Sequence, residues 1–192
     1  MRINRNEEIL CALTMFFPSY QSIKVIFNMS IETHVSLFDK LIIFQCLIHL
    51  PFSVALHMSR AYGDPCHIGR GLIFRKLDYM FIYISSTLLA FGLSNSLIYG
   101  TFASYINAFF IFKLWDKSFC VYKPPVNEVS ICVLIYIFAL LVNNRTTDFY
   151  MSLVVGFGAY ICTFFDTLGF AMMHIACGFL QQIFLSHLKN GN

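Results

Sequence analysis

The sequence predicts an all-α polytopic membrane helix bundle, with seven transmembrane helices, or six if the first apolar segment does not cross. Three observations predict it. Hydrophobic residues make up 58% of the 192 and charged residues only 12%. A soluble domain carries about 25% charged residues, so this chain has too little polar surface to coat a water-facing globule. The charges are also clustered: no Asp, Glu, Lys or Arg interrupts Ile9–Ile23, Leu41–Ser59, Tyr79–Phe112, Val129–Asn144, Phe149–Phe165 or Thr167–Leu188. A bilayer core demands helices of about 17–25 apolar residues. Finally, there is no internal repeat, low-complexity stretch or Gly/Ser linker, so the spans use residues 1–192 as a single integral-membrane domain. Soluble enzymes, DNA readers, secreted disulfide mini-proteins and disordered tails are excluded.

The expected helices are 9–29, 41–58, 76–92, 97–113, 128–143, 149–165 and 168–188. The first is the least regular, because Pro18 and Lys24 interrupt it; an uncleaved signal-anchor or an interfacial helix are its alternatives. A cleaved signal peptide is disfavoured by Glu7 and Glu8, which spoil a basic leader region. The second span carries Pro51, expected to kink it and free a backbone carbonyl. The third and fourth share the charge-free run Tyr79–Phe112, which Gly92-Leu93-Ser94-Asn95-Ser96 should fold into a tight helical hairpin. The sixth holds Ser152, Gly156 and Gly158, a small-residue pattern that suits close helix packing.

Positive charge orients the bundle. With the N-terminus cytoplasmic, the inside segments hold Arg2, Arg5, Arg60, Arg70, Arg75, Lys76, Lys113, Lys117 and Lys123, and the outside ones only Lys40, Arg145 and Lys189. That asymmetry follows the positive-inside rule. The sequons Asn28-Met29-Ser30 and Asn144-Arg145-Thr146 both fall outside. Cys66 and Cys120 fall in cytoplasmic loops, and Cys11, Cys46, Cys132, Cys162 and Cys177 within spans, so no disulfide framework is implied. The basic residues form no dense run, and no nucleic acid is expected as a partner. Several spans of only about 16–18 residues lean toward a thinner, ER-like bilayer over the plasma membrane.

Ionisable groups at membrane depth are costly and mark function. His49, Ser53 and His57 recur on one face of the second span, and Arg75-Lys76-Leu77-Asp78-Tyr79 opens the third. Asp166 and His174 lie at and just after the turn into the last span. The threading brings His57, Asp78, Asp166 and His174 to the cytoplasmic half, where Asp78, His57 and His174 would form the kind of cluster that a metal or proton site needs. Each has a plainer reading beside it. His49 and His187 are read as helix-end anchors with no role, Asp78 as a surface ion pair with Arg75 and Lys76, and Ser53 as bonded to its own helix. Asp166 reads as a solvated loop residue, Cys162 and Cys177 as ordinary thiols, and Glu32-Thr33-His34 as an outside loop.

Ser53-x3-His57, then Arg75-Lys76-Leu77-Asp78-Tyr79 with Ile82, then His174-Ile175-Ala176-Cys177-Gly178 together resemble the CREST superfamily. That superfamily unites alkaline ceramidases, PAQR receptors with haemolysin III proteins, and myomaker-like proteins. The Lys-Leu-Asp-Tyr block and the inferred orientation are most similar to the PAQR and haemolysin III branch, over about residues 41–188. The resemblance implies a zinc site: His57 and His174 as metal ligands, with Ser53 and Asp78 in supporting catalytic roles. Zinc-bound water would then hydrolyse a lipid amide such as that of a ceramide. One position departs: Phe170 stands where the family has a third histidine, and a catalytic zinc needs three protein ligands. Asp78, Asp166 or Cys177 are the substitutes the sequence offers, beside outright loss of the metal. His49 lies two turns from His57, about 12 Å along the axis, too far to share an ion. Three functions therefore stand open: a zinc-dependent lipid amidase, a non-catalytic receptor binding a membrane lipid such as a sphingolipid, and a structural membrane protein.

Overall fold

A computed structural model describes residues 5–28, 35–65, 67–116, 125–165 and 167–189, and among them the chain is helical. Eight α-helices follow in order: α1 (Arg5–Thr14), α2 (Phe16–Asn28), α3 (Leu37–Ala61), α4 (Gly69–Ser94), α5 (Leu97–Leu114), α6 (Val126–Val142), α7 (Thr146–Cys162) and α8 (Thr167–Phe184), then a single 3-10 turn, Ser186–Lys189. Together α1 and α2 form one span, Arg5–Asn28, giving the seven expected units. Four of these units are long and apolar enough to cross a membrane: Arg5–Asn28, Leu37–Ala61, Gly69–Ser94 and Leu97–Leu114. Val126–Val142 and Leu168–Phe184 are shorter apolar helices. This is the helix bundle of an integral membrane protein.

The first span is broken where the expected helix was continuous. Met15 is a turn residue between α1 and α2. The cause is Pro18, which sits in the first turn of α2. Proline has no N–H to donate to the carbonyl four residues back and its ring crowds that carbonyl, and residue 14 is where α1 stops. Two other helices outrun their apolar segments. Helix α3 starts at Leu37 because Ser36 caps it, its hydroxyl accepting from the Asp39 N–H at 3.1 Å. Helix α4 starts at Gly69, a full turn and more before the apolar run, because charge ends a bilayer crossing without ending a helix. Pro51 lies inside α3 without dividing it. Carbonyls just ahead of it take outside donors: Cys46 from the Ser19 hydroxyl and Gln45 from Ser85. The α4–α5 hairpin forms as expected, with Asn95 left-handed at φ 49° and Ser96 capping α5.

Neighbouring helices run α1/α2, α3, α4, α6, α7, α8 and back to α1/α2, while α5 packs on α4 and, more lightly, on α6. Because the connections are short, successive spans run in opposite directions. The largest core cluster lies toward one end, with Ile42, Leu93, Ile137, Leu140 and Phe184 all nearly inaccessible. Large apolar side chains cover the outside, including Ile98 at 86% and Phe112 at 82% exposure. Without a hydrophobic drive between helices in lipid, polar contacts hold them together. The Gln181 amide donates to the Ser22 hydroxyl and the Ile42 carbonyl, and the Gln45 amide donates to Gln181. The Asn107 amide donates to Ser86 and Thr87, and the Cys132 thiol donates to Asn107.

The small residues of α7 divide. A Cβ on Gly156 would sit 3.2 Å from Ile137, so this glycine does pack against α6, whereas Gly158 has nothing within 4 Å. The close-packing expectation holds for the first and not for the second.

Candidate functional site: a buried histidine and carboxylate cluster

At the end of the bundle opposite the largest core cluster, α1, α3, α4 and α8 converge on ionisable side chains. His57 and Ser53 face inward from α3, Asp78 from α4 and His174 from α8, and all four are buried. The His57 and His174 rings lie 5.3 Å apart between centroids, edge to face at 75°. Ser53 lies against the Asp78 carboxylate, and His57 is also within its electrostatic reach. The cluster expected of Asp78, His57 and His174 is therefore assembled from three helices. Asp166, Cys66, Cys120, Lys117, Lys123, the Glu32-Thr33-His34 loop and the end of the first sequon lie outside the described residues.

Two residues that the sequence left without a role belong to this cluster. His49, read as a helix-end anchor, sets its Nε2 2.9 Å from Asp78 Oδ1. The i, i+8 spacing that separates it from His57 along α3 is what allows it to meet α4 instead. Nor is Asp78 a surface pair with Lys76: that ammonium donates to the Asp116 carbonyl and stands over the Trp115 ring, 5.6 Å from its centroid. The second residue is Glu8 of α1, fully buried. Its Oε2 is 2.8 Å from His57 Nδ1 and its Oε1 2.7 Å from Arg60 Nη2. A carboxylate beside the first apolar segment and an arginine at the end of the second were the only signals for it. Pairing them requires knowing that α1 packs on α3.

His174 is held by α1 too. Its Nδ1 is 3.1 Å from Thr14 Oγ1 and 3.2 Å from the Cys11 carbonyl. Among the described residues, Nε2 of His57 and Nε2 of His174 have no hydrogen-bond partner.

A zinc ion fits this donor set poorly. Among the described residues no three His, Cys, Asp or Glu side chains are placed to hold a metal ion. Phe170 occupies the helical position one turn before His174, and a phenyl ring offers no lone pair. Asp78, one substitute ligand, already engages His49 through Oδ1. With two imidazoles, the described residues fall one ligand short of the three a catalytic zinc requires. The five described cysteines, Cys177 among them, are free thiols.

No protein-family model, no curated protein and no solved structure matches the chain.

Proposed function

We propose that this chain is a CREST-type membrane protein of the non-catalytic kind, binding a membrane lipid at the His57–His174 end of the bundle without a resident metal. The observation that carries the reading is the pair of buried imidazoles, each anchored through Nδ1 and each with Nε2 unpartnered among the described residues. Two such acceptors suit a headgroup rich in hydroxyl and amide N–H donors, the chemistry of a sphingolipid. Ser53 adds a hydroxyl, and the His49–Asp78 pair supplies a fixed dipole beside it. Hydrolysis by zinc-bound water lacks a third ligand while Phe170 stands in place, which is why binding is preferred to turnover. The positive-inside asymmetry supports a cytoplasmic side for the N-terminus and for this end of the bundle.

The test is lipid retention and metal content on detergent-purified protein. Native mass spectrometry should find an intact lipid, and adding a ceramide should raise the melting temperature of the wild type but not of His174→Ala. Zinc should be absent from the wild type and acquired by Phe170→His. Recovery of cleaved lipid, or near-stoichiometric zinc in the wild type, would overturn the reading.

A further inference from the structure

We infer that one face of α1, formed by Glu8, Cys11 and Thr14, locks both site imidazoles in the Nδ1–H form, so that the two Nε2 lone pairs are the site's working atoms. These three residues are spaced three apart and share one side of the helix. They lie outside the stretch that carries the CREST resemblance, so the N-terminal span becomes a wall of the site. The inference rests on the reading that His57 and His174 form one site, and not on what that site binds.

The chemistry of each anchor decides the tautomer. Which imidazole nitrogen holds the proton is set by the hydrogen bond the other ring atom makes. At His57 the partner is Glu8, whose second oxygen faces the Arg60 guanidinium at 2.7 Å; a carboxylate paired with a guanidinium is ionised and only accepts. His57 Nδ1, at 2.8 Å, therefore donates. At His174 there are two partners. The Cys11 carbonyl can only accept. The Thr14 hydroxyl has one hydrogen, and it is given to that same carbonyl at 2.9 Å, leaving oxygen lone pairs toward the ring. His174 Nδ1 therefore donates as well.

Each buried carboxylate also has a basic partner outside the two rings: Glu8 faces Arg60 and Asp78 faces His49. A neutral ring with Nδ1–H has a lone pair on Nε2. The break at Met15 serves this arrangement: α1 follows the site, while α2 is free to pack along α3 and α8 beyond it. Glu8 and Thr14 are positioning residues in this scheme, because they act on the site through the rings they orient.

The experiment is nitrogen NMR of histidine-labelled full-length protein in nanodiscs, at a pH well above the imidazole range of about 6.5. His57 and His174 are assigned by single substitution. In the wild type both should show protonated Nδ1 and lone-pair Nε2, and this spectrum alone decides the first half of the inference. In Glu8→Ala, His57 should lose the Nδ1–H signature while His174 keeps it, a selective change that general destabilisation would not produce. An Nε2–H signature on either ring in the wild type, or an unchanged His57 in Glu8→Ala, would refute the inference. Failure of lipid to bind would count against the proposed function and leave these spectra as they are.

Discussion

The His49–Asp78 pair joins α3 to α4 through side chains only 16% and 10% exposed. Removing one partner of such a buried pair strands the other, at a cost of about 3–5 kcal/mol. Asp78→Ala and His49→Ala should each lower stability by about that amount, and the double variant by much less than their sum. A double-mutant cycle from reversible unfolding in detergent measures this, and simple additivity would show that the two do not act as a pair. A second residue-scale prediction concerns pH. The Ser59 hydroxyl, donating to Asp64 at 2.6 Å, and the Arg70 guanidinium hold the Asp64 carboxyl below its ordinary range. A lowered carboxylate value stabilises the fold above the ordinary range, and that stabilisation is lost as pH falls through the folded value. Protection factors of the amides in the α3–α4 connection, taken against the intrinsic rate at each pH, should therefore fall on acidification in the wild type. In Asp64→Asn they should be already low and flat with pH.

Helices in this bundle meet through a few close approaches. A Cβ built on Gly92 of α4 would stand 2.5 Å from Ile42 Cγ1 and 2.8 Å from the Phe38 carbonyl oxygen. The second contact is to backbone and cannot swing away. Gly92→Ala should cost about 1–3 kcal/mol through overpacking between α3 and α4. Gly158→Ala on α7, where nothing lies within 4 Å, should instead stabilise by about 0.5–1 kcal/mol, because alanine has less backbone freedom to lose. Thermal unfolding of the two variants side by side checks this, and equal effects would contradict the packing described. At the far end of the bundle the Arg145 guanidinium donates to Asp148 and to the Ile183 and Phe184 carbonyls. It thereby caps α8 from the α6–α7 connection.

For the molecule as a whole, alternating spans put the Glu8, His57, Asp78 and His174 end on the same side as the α3–α4 connection, and Asn144 on the opposite side. The proposed orientation makes the first side cytoplasmic. A cysteine introduced at Gly63, in a variant stripped of its reactive thiols, should label from the cytoplasm only, and one at Asn144 from the opposite face only. The reverse pattern would invert the orientation and move the site to the outer leaflet. The apolar exterior, with Phe27 at 84% exposure beside Ile98 and Phe112, suits acyl chains and leaves polar chemistry to the interior.

The helical class, the seven helical units and the limits around the α4–α5 hairpin were legible in one dimension, because they depend on charge-free length and on turn chemistry such as Ser94-Asn95-Ser96. Three members of the cluster were legible too, since His57, Asp78 and His174 stand out as ionisable groups beside apolar runs. Their partners were not. Glu8 with His57, His49 with Asp78, and Gln45 with Gln181 are pairs that sequence separation hides. The break at Met15 follows from Pro18, but its consequence, a short α1 laid against the site, does not. Local sequence fixes where a helix starts, stops and enters lipid through short-range steric and solvation terms. Which face meets which neighbour is a many-body packing outcome, and only the folded bundle decided that α1 would orient the two histidines.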